Sequence, residues 1–136
     1  FKITRAHGLK ICLNASPPQK ISSNLITNTD IIIVNLIEAE KISQSKISSI
    51  DDAKKTAKEL TEQFELAIIT AGEKGVAACE RNSNSFSILA KKIEVSSTHG
   101  AGDVFAGIFC AALASNEDLQ KSVEIANEKA AFHVAK

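Results

Sequence analysis

Three small residues directly before a carboxylate are the feature of this sequence that most suggests chemistry. Gly100, Ala101 and Gly102 precede Asp103, and the apolar run VFAGIF that follows is typical of a helix. Small residues at a helix N-terminus let a ligand approach the backbone amides, where the helix dipole is positive. A phosphoryl oxygen could bind there, and Asp103 could accept the proton of an attacking alcohol. The alternative is a glycine turn whose acidic residue only stabilises the helix dipole.

Polar and glycine residues also follow the other apolar runs of the chain. They are Asn14 after LKICL, Asn35 and Glu38 after DIIIV, and Thr70, Gly72 and Gly75 within TAGEKG. Because ligands of α/β proteins bind at the carboxyl ends of the strands, one sheet edge would bring these groups together. Asn35 and Glu38 lie one helical turn apart and could hold a hydrated Mg²⁺ beside phosphates, or could be an Asn cap and a surface Glu. Gly72 and Gly75 could admit a nucleotide close to the backbone, or could simply form a turn.

Other kinds of site fit the sequence poorly. The chain has no GxxxxGK[ST] phosphate loop, and the third glycine of a dinucleotide-binding fingerprint is missing after GAGD. Ser97, His99 and Asp103 are too close in sequence for the geometry of a nucleophilic triad. His7 and His133 have no metal-ligand spacing to each other or to a cysteine, so we expect them to bond within loops or on helix faces.

The amino-acid composition argues against nucleic-acid and membrane partners. The 136 residues carry 16 basic and 16 acidic side chains, with six Phe and neither Trp nor Tyr, so neither a basic surface nor a base-stacking platform for nucleic acid is expected. The apolar runs fall short of the ~20 residues that span a bilayer, and no membrane partner is expected. Three cysteines without CxxC spacing indicate buried free thiols and a cytoplasmic location.

The pattern of elements predicts a single α/β domain with a mainly parallel sheet. Buried strands are predicted at 9–14, 30–35 and 66–72, and a hairpin at 75–80 and 85–90; another extended stretch surrounds Ile93 and Val95. Helices are predicted after a Ser49–Asp52 capping box, after GAGD, and after a cap at Ser115 or Asn116. Their apolar stripes are Ile50, Ala53, Ala57, Leu60 and Phe64; Val104, Ile108, Ala112 and Leu113; and Leu119, Val123, Ala126, Ala130 and Val134.

Taken in series, these pieces resemble the C-terminal half of the ribokinase-like (PfkB) family of carbohydrate kinases. STHGAGDVFAGIF is similar to that family's D-T-x-G-A-G-D-x-F-x-G signature, NLIEAE to its N-x-x-E motif, and TAGEKG to its T-x-G-x-x-G nucleotide loop. LNASPP resembles the family's L-N-P-A-P segment, and IANEKAAF resembles the A-N-A-A-A run of its last long helix. The resemblance covers essentially all of residues 1–136. It implies the C-terminal portion of a three-layer αβα sandwich.

The resemblance implies a residue-by-residue site for ATP and Mg²⁺. Asp103 would be the base, and the amides of Gly100, Ala101 and Gly102 would form the anion hole. Mg²⁺ and the phosphate tail would be ordered, through water, by Asn35 and Glu38. The ATP site would be lined by Thr70, Gly72 and Gly75, with Asn127 near the adenine. The γ-phosphate would pass to an alcohol of a sugar or nucleoside, with ribose as the first guess.

The sequence departs from the family pattern at several positions, and these departures bear on the expected K⁺ site and activity. Ser97 stands where potassium-activated members have an Asp, so a K⁺ site is doubtful. Ile37 replaces the Thr of the N-x-x-E motif, and His99 occupies a slot that is commonly Thr, Val or Ile. The half that carries most sugar contacts has no counterpart here, so we expect a partial kinase domain over 1–136 with weak or no activity alone. A homodimer of a full-length parent is compatible with the resemblance.

Two other functions remain open on the sequence alone. One is a non-catalytic ATP-binding or regulatory relative of the kinases, which the changes at Ser97 and Ile37 would favour. The other is a structural or interaction domain that kept only the fold. ATP binding with turnover would identify a kinase, and ATP binding without turnover would identify a non-catalytic relative. Loss of ATP binding would indicate a structural or interaction domain.

Overall fold

The computed structural model of the protein describes residues 1–16, 20–94 and 99–135. In chain order the elements of these residues are α1 (Lys2–Ala6), β1 (Cys12–Asn14), α2 (Ser23–Asn28), β2 (Ile31–Asn35), α3 (Leu36–Ser43), α4 (Ile50–Leu60), β3 (Leu66–Thr70), a short 3₁₀ turn (Gly72–Lys74), β4 (Val76–Glu80), β5 (Phe86–Ile88), α5 (Ala101–Ala114) and α6 (Leu119–Val134). Within these ranges no helix combines the length and apolar character needed to cross a membrane.

The strands form one sheet in the order β1-β2-β3-β4-β5. The pairs β1–β2 and β2–β3 are parallel, and β3–β4 and β4–β5 are antiparallel. Four strands therefore run in the same direction and only β4 opposes them. The mainly parallel sheet and the hairpin between β4 and β5 are both confirmed.

Helices cover both faces of the sheet and make the three layers. Successive side chains of a strand point to opposite faces, so Ile32 and Val34 of β2 pack on one helix layer while Ile31 and Ile33 pack on the other. Ala53, Ala57 and Leu60 of α4 join the first cluster, with α3 beside them. The second layer is α5 and α6, whose core residues are Phe105, Phe109, Val123 and Ala126. The α/β sandwich predicted from the sequence is confirmed.

Two helix predictions are wrong in detail. The last helix is capped by Asp118, whose side chain accepts from the amide of Lys121, and not by Ser115 or Asn116. The fully buried side chains of α5 are Phe105 and Phe109, which the predicted stripe omitted, while Ile108 and Leu113 of that stripe pack against the same core and are partly buried. The two rings lie parallel with their centroids 6.2 Å apart, so the larger aromatic side chains take the core positions and the smaller ones flank them.

The extended stretch predicted around Ile93 and Val95 forms no strand among the described residues. Residues 91–94 are not a strand. Val95 and Ser97 lie outside the described residues. The helix α3 ends at Ser43, and Ile47 in the loop that follows is buried in the core.

The cysteines are free, as predicted, and Cys79 is fully buried. Cys12 of β1 and Cys110 of α5 are only half-buried. Burial raises the pKa of the Cys12 thiol to about 12, with the neighbouring Cys110 adding to the shift. Cys12 therefore remains a neutral thiol in the packing between β1 and α5.

Candidate active site

A polar pocket lies at the carboxyl ends of β1, β2 and β3, against the N-terminus of α5. Its volume is about 210 Å³. Its lining residues are Asn14, Ser16, Ile33, Val34, Asn35, Glu38, Thr70, Gly100, Gly102 and Asp103. Six of them are sequence-predicted site residues, drawn from three separate segments of the chain.

Strand register brings the first of these residues together. Asn35 and Thr70 are direct partners across β2 and β3, and both are the last residues of their strands. The Thr70 hydroxyl lies 3.4 Å from the carbonyl oxygen of Val34. Because parallel strands end at the same edge of a sheet, side chains over 30 residues apart become neighbours here.

Glu38 is buried at this edge with one oxygen unpartnered. The α3 N-terminus is a capping box, in which Asn35 Oδ1 accepts from the Glu38 amide at 2.9 Å and Glu38 Oε2 accepts from the Asn35 amide at 2.8 Å. Glu38 is only 2% exposed, and its Oε1 has no hydrogen-bond partner among the described residues. A buried carboxylate oxygen is costly without a donor or a cation. Its side chain therefore suits a positively charged or protic ligand in the pocket.

Magnesium fits this donor set. Mg²⁺ binds one or two carboxylates and keeps several waters beside substrate phosphates. The described residues contain no cluster of three or more His, Cys, Asp or Glu side chains that could enclose a metal. Glu38, with Asn35 beside it, would therefore hold the ion only together with phosphate oxygens and water.

The N-terminus of α5 forms the opposite wall of the pocket. Its N-cap is Gly100, which adopts the left-handed conformation with φ of 78°, and no described side chain caps the helix. The first intrahelical bond is donated by the Val104 amide to the Gly100 carbonyl. A methyl group built on Gly102 would meet no atom of the described residues within 4 Å. The first turn of α5 thus presents backbone to open space at the positive end of the helix.

Asp103 sits in that first turn and is exposed to the pocket. Its Oδ1 lies 3.4 Å from Asn14 Nδ2, which donates a long and weak hydrogen bond from the end of β1. A carboxylate held this loosely can accept a proton from a ligand. Ala101, the first residue of α5, does not line the pocket itself.

Gly75 and Asn127 lie apart from the pocket but share a neighbour. A methyl group on Gly75 would come within 2.0 Å of the Ile88 carbonyl oxygen, so the loop backbone packs directly on β5. Asn127 Nδ2 donates to the Leu89 carbonyl at 3.1 Å. Both predicted nucleotide residues therefore contact the segment 88–90. Gly72 has φ of 56° and no atom near its missing methyl group, which is what a turn at the surface requires.

Asn14 and Ser16 also line the pocket. Asn14 was expected at this edge, as the polar residue that ends an apolar strand, but the sequence assigned it no role. Ser16 had no signal beyond its place in the LNASPP segment. Asn14 reaches Asp103 across 89 positions of the chain, a contact that only the tertiary fold creates.

A larger groove lies at the opposite end of β3 and β4. Its volume is about 630 Å³, and Lys58, Glu62 and Arg81 are among its lining residues. Arg81 Nε already donates to the Thr61 carbonyl at 2.9 Å. The groove is more open than the polar pocket and contains none of the predicted site residues, so it is not the candidate active site.

The three-layer fold and the polar pocket at the carboxyl strand ends define an α/β protein whose ligand site lies at that edge of the sheet. The family model described as pfkB family carbohydrate kinase matches residues 1–136. The chain therefore belongs to the pfkB family of carbohydrate kinases.

Individual relatives agree with this assignment. The chain is 30% identical to the ribokinase of Staphylococcus aureus strain COL over 138 residues, which cover 100% of this chain and 45% of the relative. It is 31% identical to the ribokinase of Haemophilus influenzae, covering 99% of this chain and 44% of the relative. The Arabidopsis thaliana ribokinase solved with ribose and ATP superposes with a TM-score of 0.89 at 18% identity, over 98% of this chain and 44% of that one. The chain thus spans just under half the length of these ribokinases.

Proposed function

We propose that residues 1–136 form the nucleotide-binding and catalytic part of an ATP-dependent sugar kinase. One observation carries the proposal: a single pocket of about 210 Å³ contains the Asp103 carboxylate, the uncapped N-terminus of α5 and the buried Glu38. A base, an anion site and a carboxylate for a cation are the groups that phosphoryl transfer to an alcohol requires. Membership of the pfkB family makes this chemistry the first choice.

In the proposed reaction Asp103 accepts the proton of the substrate hydroxyl. The hydroxyl oxygen bonds to the γ-phosphorus of ATP as the bond from that phosphorus to the β,γ-bridging oxygen breaks, and ADP leaves. The first-turn amides of α5 donate to the oxygens of the transferred group, where negative charge concentrates. Since these amides are already oriented by the helix, little reorganisation is required during the step.

Mg²⁺ would neutralise charge on the phosphate tail when it is bound next to Glu38. The unpartnered Oε1 of Glu38 supports this role, because a water of the hydrated ion would donate to it. Asn35 would contribute by holding Glu38 in place through the capping box.

The nucleotide would extend from the α5 N-terminus toward the segment 88–90. Thr70 lines the pocket at the phosphate end, and Gly75 and Asn127 contact the segment at the other end. Gly72 lies on the loop between these two regions. We infer that the triphosphate of ATP is held at the pocket and that the adenine ring lies near Asn127.

The acceptor is proposed to be a sugar alcohol group, with ribose as the first candidate. Two of the relatives matched are ribokinases, and the Arabidopsis ribokinase of similar fold was solved with ribose and ATP. Because this chain spans less than half of those proteins, we propose that most sugar contacts come from outside residues 1–136 and that turnover by this chain alone is weak or absent.

Calorimetric titration with ATP, with and without Mg²⁺, tests the nucleotide part of the proposal. We expect Mg²⁺ to strengthen ATP binding to the wild-type chain. In Glu38→Gln the Mg²⁺-dependent part should weaken about tenfold, as expected for removal of a group that supports a metal, while binding of metal-free ATP stays near wild type. Glu59→Gln, on an exposed face of α4, is the matched control. If the wild-type chain does not bind ATP, the proposal fails and the domain has kept only the fold of the family.

Turnover separates the kinase from a non-catalytic relative. ADP formation is measured with ribose, fructose and adenosine as acceptors. Robust sugar-dependent turnover by this chain would contradict the proposal that the sugar contacts lie elsewhere. ATP binding without turnover in any longer chain that contains this segment would identify a non-catalytic relative.

A further inference from the structure

The last turn of α6 touches the turn that precedes α5. His133 Nε2 lies 3.3 Å from the carbonyl oxygen of His99. The same nitrogen lies 3.3 Å from the position that a methyl group on Gly100 would occupy. The imidazole therefore lies directly against the glycine turn, and α6 supports the N-terminus of its neighbour α5.

Hydrogen-bond chemistry assigns the direction of this contact. A carbonyl oxygen only accepts, so His133 Nε2 must carry the hydrogen and donate it to His99. That holds for the imidazolium and for one of the two neutral tautomers. The contact, at the long end of the hydrogen-bond range, thus restrains the peptide group that joins His99 to Gly100.

Among the described residues, no side chain caps the α5 N-terminus. Ser22, Asn35, Ser49 and Asp118 cap the other helices of six or more residues through their side chains. Gly100 has no side chain with which to do the same, and it adopts a left-handed conformation in which glycine is not restrained by a Cβ. The contact between His133 and the His99 carbonyl therefore takes the place of a local cap in orienting the turn at Gly100.

We propose that His133 is a positioning residue for the phosphate site. Its imidazole holds the turn at His99 and Gly100 so that the first-turn amides of α5 stay directed into the pocket. This role rests on the proposed function, because it matters only if those amides bind a phosphoryl group. His133 is not among the residues that line the pocket, so it acts through the backbone of the turn and not on the ligand.

Two variants separate the hydrogen bond from the bulk of the side chain. His133→Gln keeps an N–H donor at about the position of Nε2, and His133→Met keeps a side chain of similar length without a donor. His133 is exposed near the end of α6, so both variants should fold. Lys129→Met, one turn earlier and also exposed, controls for a change on the α6 surface.

The first measurement needs no ligand. Amide hydrogen exchange is recorded for Val104, whose amide donates to the Gly100 carbonyl, and ¹⁵N chemical shifts are recorded for Gly100 and Gly102 in each variant. We expect about three- to tenfold faster exchange at Val104 in His133→Met, as one net hydrogen bond permits, and near wild-type rates in His133→Gln and Lys129→Met. Unchanged exchange in His133→Met, or equal changes in the Gln and Met variants, would overturn the positioning role.

The second measurement is the affinity for ATP with Mg²⁺. We expect His133→Met to bind severalfold more weakly, with His133→Gln and Lys129→Met near wild type. Faster exchange with unchanged affinity would show that the turn does not shape the phosphate site, which overturns the proposal. Faster exchange in a chain whose wild type binds no ATP would count against the proposed function, while the contact of His133 with the turn would stand.

Discussion

The helices α4 and α5 each carry an aspartate as their third residue, and the two carboxylates behave differently. At α4, Asp52 Oδ2 accepts from the amides of Ser48 and Ser49, both at 3.0 Å, while the Ser49 hydroxyl accepts from the Asp52 amide at 3.1 Å. At α5, Asp103 forms no such box, and Asn14 approaches it only at 3.4 Å.

The N-cap residue accounts for the difference. Ser49 has an extended backbone, with φ of −135°, and a side chain that can accept the first free amide. Gly100 has φ of 78° and no side chain. One glycine therefore leaves both the amides and the carboxylate of the first turn available. An acid at this helix position stabilises the helix when the cap is Ser, and can serve a ligand when the cap is Gly.

The N-terminus of helix α3 combines features of the other two helix ends. Its third residue, Glu38, closes a capping box with one oxygen and leaves the other buried without a partner among the described residues. The local structure is thus satisfied, yet the side chain still offers an acceptor to the pocket. A capping box and a cation-supporting role are compatible in the same carboxylate.

Replacing Asp103 tests the largest expected consequence of this comparison. In a longer chain that contains this segment and phosphorylates a sugar, Asp103→Asn should lower kcat by about 10²–10⁴-fold, the usual contribution of a general base. ATP affinity should change little, because the amides of α5 remain. Sugar-dependent ADP formation at saturating substrate gives kcat, and calorimetry gives the affinity.

The equivalent change at α4 is the matched control. Asp52→Asn alters the same helix position on a helix end that does not line the pocket, so kcat should stay near wild type. An Asp103→Asn enzyme with near wild-type kcat would show that Asp103 is not the base. The two aspartates would then differ only in their hydrogen bonds.

Gly102→Ala gives the next largest effect and separates binding from stability. The added methyl group meets no atom of the described part of the chain within 4 Å, and alanine is a better helix former than glycine, so Tm should stay level or rise. The methyl group would occupy the space where a phosphoryl group approaches the α5 backbone. We expect ATP affinity to fall at least tenfold, as measured by calorimetry.

Gly107→Ala, later in the same helix, provides the comparison. Gly107 also has no atom within 4 Å of its missing methyl group, but it does not line the pocket. It should gain stability and keep wild-type ATP affinity. Equal affinity in the two variants would mean that no ligand contacts the first turn of α5.

The sheet and most of the pocket could be predicted because they depend on local patterns. Continuous apolar runs such as Ile31–Val34 identify buried strands, and parallel strands must end at a common edge, so Asn35 and Thr70 were expected to be close. The position of Asp103 was predictable because the small residues before it and the apolar run after it indicate a helix N-terminus. The capping box at Ser49 follows from two residue types at a fixed spacing.

Contacts between distant segments could not be predicted in this way. Asn14 reaches Asp103, and His133 reaches His99, only after the helix layer formed by α5 and α6 has packed on the sheet. The cap of α6 was misplaced because Ser115, Asn116 and Asp118 are all acceptable caps, and the choice depends on how the chain leaves α5. The two buried phenylalanines of α5 were missed because nearly every residue of that helix is small or apolar, so its periodicity is weak.

The smallest expected effect concerns the stability of the two helix ends. Hydrogen bonds from the Ser48 backbone and the Ser49 side chain, the largest causes, lower the pKa of Asp52 below its ordinary value. A carboxyl whose folded pKa is lowered stabilises the fold fully above its unfolded pKa, and this contribution is lost as pH falls through the folded value. Asp52→Ala should therefore lower Tm by a few degrees at pH 7, and the difference from wild type should shrink toward pH 3.

The same substitution at α5 should cost less stability, because Asp103 closes no capping box. Thermal unfolding of Asp52→Ala and Asp103→Ala, followed by circular dichroism at pH 7 and pH 3, makes the comparison directly. A Tm loss at pH 7 as large for Asp103→Ala as for Asp52→Ala would mean that Asp103 serves its helix as a cap does. The contrast between a helix end completed by its own residues and one left available to a ligand would then fail.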